Sequence, residues 1–577
     1  ADTEARLERQ FALLERTGAQ GRRIVRVIDA YIAGINGWYR KAGLQIQPWR
    51  RADVVAVAGL VGGLFGAGGG DEARRAALLS ALQQRLGAEG GRRAWEDLRL
   101  RNDPEARTAT EGTFPYPSGP TTELGNVVVD AGSIVAPGPE TTALPRPSLG
   151  MSNALLVGAK RSTTGKPLAV MGPQVGYYYP EILLELDLRG GGFDARGAAF
   201  PGISFAILLG RGPDFAWSAT SAGSDVVDEY VETLCDGSDA KYLYRGECRA
   251  MTTFTAGTIK GTPGGPDRLL SYRETVHGPV AAYATVEGRR VAISRKRSTR
   301  DRELLSAPFF FGLSTAAVRS ARDFFALATT MEMSFNWHYV DDRDIAVFTT
   351  GRLPVRPASV DPGLPTKGTG EFEWTGFVPP SGHPQQVNPK SGVILNWNNK
   401  PARGFSAADN EWSYGSVQRV DLLWGATQRR QKHTLASLVG AMNLAATQDL
   451  RLVRVWPTIR AVLAQGAAPS DRARRAVAAV DDWLAAGGSR LDRNLDGAID
   501  APGAAGGAAA GGLLGGVLTQ YLNWRWNFFV NVPVGLIVVL ASMALLPHHR
   551  GEAKRATKLD MPGAILATTG LMSLVYG

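Results

Sequence analysis

The chain has 577 residues, 44% of them hydrophobic and 20% charged, enough apolar mass for several domains or one large layered domain. Lysine and arginine number 64 against 54 acidic residues, a net charge of +10. No basic run is interleaved with aromatics and no nucleic-acid motif is present, so a nucleic-acid partner is set aside and the surplus reads as an arginine-rich surface.

Residues 1–112 read as helical. The start, ADTEARLERQ, is charged and already helical in pattern, so a secretory leader has been removed or lies upstream. Ile24, Val27, Ile28, Tyr31, Ile32 and Ile35 recur at helical spacing with arginines opposite. A Gly-rich break, GLFGAGGGDE, ends a second apolar run, and a further helix follows with Leu78, Leu79 and Leu82 inward. Residues 113–151, rich in Pro, Gly, Ser and Thr, read as an extended, exposed connector.

From residue 152 the texture turns to β. SNALLVGA, KPLAVMG and ISFAILLG are short apolar runs bounded by Gly and Pro, as buried strands are. Cys235 and Cys248 flank an Asp-Gly turn and a YLY run. That suits a hairpin closed by a disulfide, the pairing expected in an oxidising compartment. Val318, Ala321, Phe324, Phe325, Ala328 and Met331 mark an amphipathic helix. Strands followed by helices predict an α+β fold of stacked sheet and helix layers. Residues 528–546 carry no charge and are long enough to span a bilayer. The basic HHRGEAKRATK separates them from a second apolar run and predicts a cytoplasmic loop.

A serine needs a base to become a nucleophile. The chain has no G-x-S-x-G elbow and no triad-like context. The alternative is a serine at a chain N-terminus, where its own α-amine, of pKa about 7.7–8.0, serves as base. A place for it exists where the Pro/Gly-rich connector ends in SLGM and Ser152 opens a strand. His277 in TVHGPV reads as a structural turn residue, since this chemistry requires no histidine.

The stretch from SNALLVGAKRSTTGKPLAVMGPQ onward resembles the start of the β-subunit of the penicillin acylase family. AWSATSAGSDVVDEYVETL, ETVHGPV, SFNWHYVDDRDIAVFTTGRLP, DPGLPTKGTGEFEW and GVILNWNNKP follow in the family's order, so that the resemblance runs over residues 20 to 500. It implies the four-layer αββα sandwich of N-terminal-nucleophile hydrolases. It also implies self-cleavage between Met151 and Ser152 and an α/β heterodimer made from one precursor. Segments are expected at 1–112 (α-like), 113–151 (spacer) and 152–505 (β-like core).

By the same resemblance Ser152 is the nucleophile. The backbone N–H of Ser221, where the family has alanine, and the side-chain amide of Asn398 stabilise the oxyanion. Gln174 orients the serine amine through its carbonyl, and Arg419 corresponds to an active-site arginine. Phe65, Val175, Leu209, the Phe309–Phe310–Phe311 run and Phe335 are expected to wall the acyl pocket. Val175 and Leu209 stand where phenylacetyl-specific members are aromatic, which broadens the expected substrates to apolar acyl amides of β-lactams, lipopeptides or acyl-homoserine lactones. Structural Ca2+ is implied at Glu72, Asp225, Asp228 and Asp409, with the carbonyls of Val227 and Pro362. A separate, weaker calcium signal is DRNLDGAID. Asp492, Asn494, Asp496 and Gly497 match half an EF-hand loop, and Gly503 stands where its last ligand belongs.

Residues 511–577 resemble a different family, the drug:proton antiporters of the major facilitator superfamily. The main reading is therefore a secreted or periplasmic acylase, tethered to a membrane if that tail inserts. The rival reading is a transporter fragment fused to a non-catalytic acylase-like domain.

Overall fold

Strand Met151–Val157 is apolar on both faces, and Ala154 through Val157 are wholly buried. Such a strand must lie between two covering layers. In a computed structural model of the chain it is the middle strand of a three-stranded antiparallel sheet, flanked by Val393–Asn396 and Leu168–Gln174. Described are residues 2–117, 122–136, 151–175, 181–261, 265–315, 317–412, 414, 419–465, 471–494, 499–501 and 503–504.

One face of this small sheet packs on a seven-stranded antiparallel sheet. The order there is Gln385–Val387, Ile345–Thr349, Phe335–Asp341, Phe215–Ser221, Leu209–Arg211, Phe193–Ala199, Leu184–Gly190. Ala154, Leu156, Ile345, Val347 and Ile394 fill the space between the two sheets. Helices Arg419–Gln428 and Leu435–Thr447 cover the outer face of the small sheet, and Ala307–Ser314 and Ala321–Ala328 cover the large one. The order is helix, sheet, sheet, helix, a mixed α/β architecture in which each apolar face is buried by the next layer.

A third sheet of six strands includes Val227–Thr233, paired with Arg289–Arg297 and, in parallel, with Thr366–Lys367. Cys235 and Cys248 form a disulfide, as the hairpin pattern suggests, and Lys241–Tyr244 pairs with Glu247–Ala250, the strand that carries Cys248. The described residues after Leu450 belong to a second compact unit. Helices Leu450–Gln465 and Asp471–Ala485 there share a core of Leu452, Trp456, Ile459, Val480 and Trp483.

Several expectations are corrected. Leu79 is fully buried, but Leu78, one residue round the helix, is 44% exposed. ISFAILLG is not a strand until Leu209; its Ile203, Ala206, Ile207 and Leu208 are buried, and most of the run lines a cavity described below. Residues 122–136 are no loose connector. Val129 is fully buried, Val135 bridges Tyr283, and the Asp130 carboxylate accepts from Thr285 Oγ1 and the backbone of Glu287 and Gly288. Gly125 and Gly132 punctuate the backbone there without confining it to the surface. Asp496 and Gly497 of the EF-hand-like run, and all of the antiporter-like residues, lie outside the described residues. Among the described residues no helix is long and apolar enough to cross a membrane.

His277 is buried, stacked on Tyr230, and holds two carboxylates, with Nδ1 2.8 Å from Glu232 and Nε2 2.6 Å from Glu373. Burial pulls its pKa down, but the two carboxylates outweigh that and leave it above its ordinary 6.5. Glu373, held by His277 and Lys296 against the opposing effect of burial, is drawn down to about 2. A histidine with a raised folded-state pKa contributes stability that is fully present below its unfolded pKa. That stability is lost as pH rises through the folded value. The melting temperature is therefore expected to fall as pH rises above 6.5, and His277→Gln to remove that component. Equal slopes in the two proteins would show that the imidazolium is not what binds the two acids.

Candidate active site

The small sheet sets Ser152 beside Pro173 and Met151 beside Gln174, while Ala154 faces Asn396 on the other flank. The strand Val393–Asn396 ends in a turn at Trp397–Asn398–Asn399. Asn398 adopts φ 58°, a left-handed conformation that asparagine tolerates better than other non-glycine residues. The turn is held by its own side chains, with Trp397 N–H donating to Asn399 Oδ1 and Asn398 N–H to Asn396 Oδ1, both at 2.8 Å.

From that turn the Asn398 side chain reaches both neighbours. Its Oδ1 accepts the Ser152 backbone N–H at 3.1 Å, and its Nδ2 donates to the Ser221 carbonyl at 3.1 Å. Arg419 donates from Nη2 to the same Oδ1 at 2.8 Å and from Nε to the Trp397 carbonyl at 2.7 Å. Burial pushes the Arg419 guanidinium down to about 10. Gln174 Oε1 accepts from Trp397 Nε1 at 3.2 Å. Five residues expected to act together are thus brought to one place.

Ser152 and Ser221 line a cavity of about 100 Å³ on the helix-covered face of the large sheet. Its wall is otherwise apolar apart from Glu303 and Ser306, and it contains Phe65, Val175, Leu209, Phe310, Phe335 and Trp337. An apolar cavity of roughly 150 Å³ admits a benzene ring, so this one suits a short or slim apolar group.

Phe311 is not among the wall residues. On helix Ala307–Ser314 successive side chains turn by about 100°. When Phe310 faces the cavity, Phe311 therefore points away, edge-on to Phe193 at 5.4 Å and beneath Arg23. Sequence reading placed three consecutive phenylalanines on one wall, which no helix permits.

Glu72, Asp225 and Asp228 are buried with carboxylate oxygens within 4.8 Å of one another, a group suited to hold a metal ion. Both Glu72 oxygens and Asp409 Oδ1 find no hydrogen-bond partner among the described residues; nor do those of Asp225, one of which lies 3.0 Å from Arg356. Burial and mutual repulsion raise Glu72 well above the ordinary range, and burial raises Asp225 likewise despite Arg356. Burial also pushes Asp409 up to about 7, against the opposing pull of Arg75. So many buried carboxylate oxygens in need of a cation fit a hard, oxygen-seeking ion.

Gly69, with φ 98°, passes so close that a Cβ there would stand 2.2 Å from the Val227 carbonyl and 2.7 Å from Asp225 Oδ1. Glycine alone fits, which accounts for the Gly-rich break before Glu72. On the other side, a Cβ on Gly363, next to Pro362, would stand 2.9 Å from the Asp409 carbonyl. Arg356, which donates to both oxygens of Asp228, was invisible in sequence because LPVRP carries no motif.

The description "Penicillin amidase" matches residues 3–499, and the chain belongs to that family. It is 25% identical over 515 residues to penicillin G acylase of Escherichia coli, covering 79% of this chain and 59% of that protein. It is 25% identical over 390 residues to acyl-homoserine lactone acylase QuiP of Pseudomonas aeruginosa, covering 62% and 44%. Among solved structures, a thermostable penicillin G acylase from Alcaligenes faecalis superposes with a TM-score of 0.56 at 25% identity, covering 74% of this chain and 79% of that one. The chain therefore spans about half the length of these curated relatives.

The Phe310 and Phe311 placements are separable by experiment. Phe311→Ala is expected to cost about 3–5 kcal/mol in chemical denaturation and to leave binding of hexanoate, followed by Trp337 fluorescence, unchanged. Phe310→Ala should instead admit bulkier aromatic acids. Equal effects of both on ligand preference would contradict the assigned wall.

Proposed function

We propose that the chain is the precursor of an N-terminal-nucleophile acylase that hydrolyses amides of neutral, apolar acyl groups. The observation that carries this reading is the Asn398 side chain, which touches both the Ser152 nitrogen and Ser221 at the edge of an apolar cavity. The names of the relatives support it. In this reading Ser152 Oγ first attacks the Met151 carbonyl and the peptide C–N bond breaks with the proton passing to the Ser152 nitrogen, which frees the α-amine. Water then hydrolyses the resulting ester, releasing the Met151 carboxylate and the Ser152 hydroxyl.

In turnover that amine takes the Oγ proton as Oγ attacks the substrate carbonyl carbon. The oxyanion is met by Ser221 N–H and Asn398 Nδ2, once the latter turns from the Ser221 carbonyl. The C–N bond then breaks and the proton passes to the leaving amine. Water cleaves the acyl ester, giving its proton back through the amine and releasing the acid. Gln174 and Arg419 hold the amine and the Asn398 turn. The Arg419 cation beside Oδ1 also polarises the amide that donates from Nδ2.

The mature enzyme would be a heterodimer of the four-layer αββα class, secreted or periplasmic, with a disulfide suited to that compartment. Because residues 122–136 are packed, the excised spacer lies after them. Substrates of this shape include acyl-homoserine lactones, lipopeptides and β-lactams with slim side chains. Expression in a periplasm, with intact masses and N-terminal sequencing beside Ser152→Ala, tests the reading. A fragment beginning Ser152-Asn153-Ala154, absent from the variant, is expected. One uncut chain in both would refute it.

Calcium is the ion this donor set favours, through the carboxylates of Glu72, Asp225, Asp228 and Asp409 and the carbonyls of Val227 and Pro362. It would neutralise the buried acids and tie the helical segment to the six-stranded sheet. EGTA is expected to lower the melting temperature, with Ca2+ but not Mg2+ restoring it, and Glu72→Gln to abolish the response. A wild-type melting curve indifferent to EGTA would remove calcium from the proposal.

A further inference from the structure

Strand Phe215–Ser221 sends Trp217, Ala219 and Ser221 toward the helix side and Ser218 and Thr220 toward the small sheet, the alternation every strand imposes. Thr220 and its cross-strand neighbour Asn336 are therefore polar side chains buried between two sheets, at 1% and 0% exposure. They form a chain. Thr220 Oγ1 lies 2.8 Å from Asn396 Oδ1, Asn336 Nδ2 lies 3.2 Å from Thr220 Oγ1, and Thr349 Oγ1 lies 2.8 Å from Asn336 Oδ1.

The polarity of this chain is forced from one end. The backbone N–H of Asn398 can only donate, and it points at Asn396 Oδ1. Asn396 must therefore present its oxygen, so the Thr220 hydroxyl must donate to it. Thr220 then accepts from Asn336 Nδ2, which leaves Asn336 Oδ1 to accept from Thr349. Each member is oriented by the one before it, and a buried hydrogen-bonded chain strengthens its own links. Asn396 Nδ2 has no partner among the described residues, so the amide is held by its oxygen alone.

We infer that Thr220 is a positioning residue that couples the two proposed oxyanion donors. Its backbone carries on directly into Ser221, whose N–H is one donor. Its hydroxyl holds Asn396, which fixes the left-handed turn that aims Asn398, the other. The inference deepens the acylase reading and rests on it for its kinetic consequence. The geometric consequence, that loss of the hydroxyl frees the Asn398 turn, stands without it.

Thr220→Val keeps the shape and removes the donor; Thr220→Ser keeps the donor. In matured protein, with active sites counted by a sulfonyl fluoride, kcat for a hexanoyl anilide is expected to fall about 10- to 100-fold in Thr220→Val. KM should stay within about twofold, since the cavity lies on the other face of the strand. Thr220→Ser should recover most of kcat. An unchanged kcat in Thr220→Val, or a loss that Thr220→Ser fails to restore, would overturn the inference. If the wild type neither matures nor turns over, the acylase reading fails. Crystal structures of the wild type and Thr220→Val then decide the positioning role. Asn398 leaving the Ser152 nitrogen supports it, and an Asn398 turn unchanged in the variant overturns it.

Discussion

One side chain, that of Asn398, joins three pieces of chain far apart in sequence. It stands on a left-handed turn at the end of one strand and binds the nitrogen of a second. It also binds the carbonyl of a third strand in the facing sheet. Two sheets packed through apolar side chains can slide or tilt by fractions of an ångström, because dispersion has no direction. Hydrogen bonds across the gap do have direction, and here they sit where the sheets meet the cavity. The apolar core between the sheets sets their distance, and the Asn398 turn sets their register.

Ionic interactions play a corresponding role at the far side of the same region. Helix Glu72–Leu98 begins at a buried acid that faces Asp225 and Asp228, with Arg356 shielding part of their charge. Further contacts join this helix to the later part of the chain. Arg99 forms a two-pronged pair with Asp361, and Arg75 reaches Asp409 and Glu411. Buried charge of this kind adds little net stability compared with an apolar replacement, but it rejects any arrangement that leaves a member unpaired. The value of these contacts is alignment.

How much of this was legible in sequence depended on the kind of signal. Apolar runs bounded by glycine pointed to Met151–Val157, buried on both faces from Ala154 on, and to its half-buried neighbour Leu168–Gln174, because a strand packed between layers leaves no alternation to read. The residues around Ser152 came from ordered motifs, since single serines and asparagines say nothing of their neighbours. Phe311 failed because a run of like residues hides the helical phase. The packed residues 122–136 failed because the Pro, Gly, Ser and Thr of the wider stretch were taken as signs of exposure, while the apolar Val127, Val129 and Ile134 that carry the burial went unweighed. The Thr220 chain left a trace that went unused. In AWSATS, serine and threonine alternate with tryptophan and alanine in a strand that the structure buries on both faces, and polar residues in such a place need one another. Arg356 left no trace, because a lone arginine is usually on the surface.

The packing of residues 2–117 and 122–136 onto the later sheets has a consequence for the chain cut at Met151 that the acylase reading proposes. Before the cut, the tether keeps the two parts at a high effective concentration, and folding is a unimolecular event. Afterwards the same contacts hold two molecules, and their association depends on how many chains are present. In the acylase reading such a nick changes the reference state against which the folded shape is stable. A nicked protein that has once come apart must find its partner again in solution, so the cut acts as a ratchet, passed easily in one direction only.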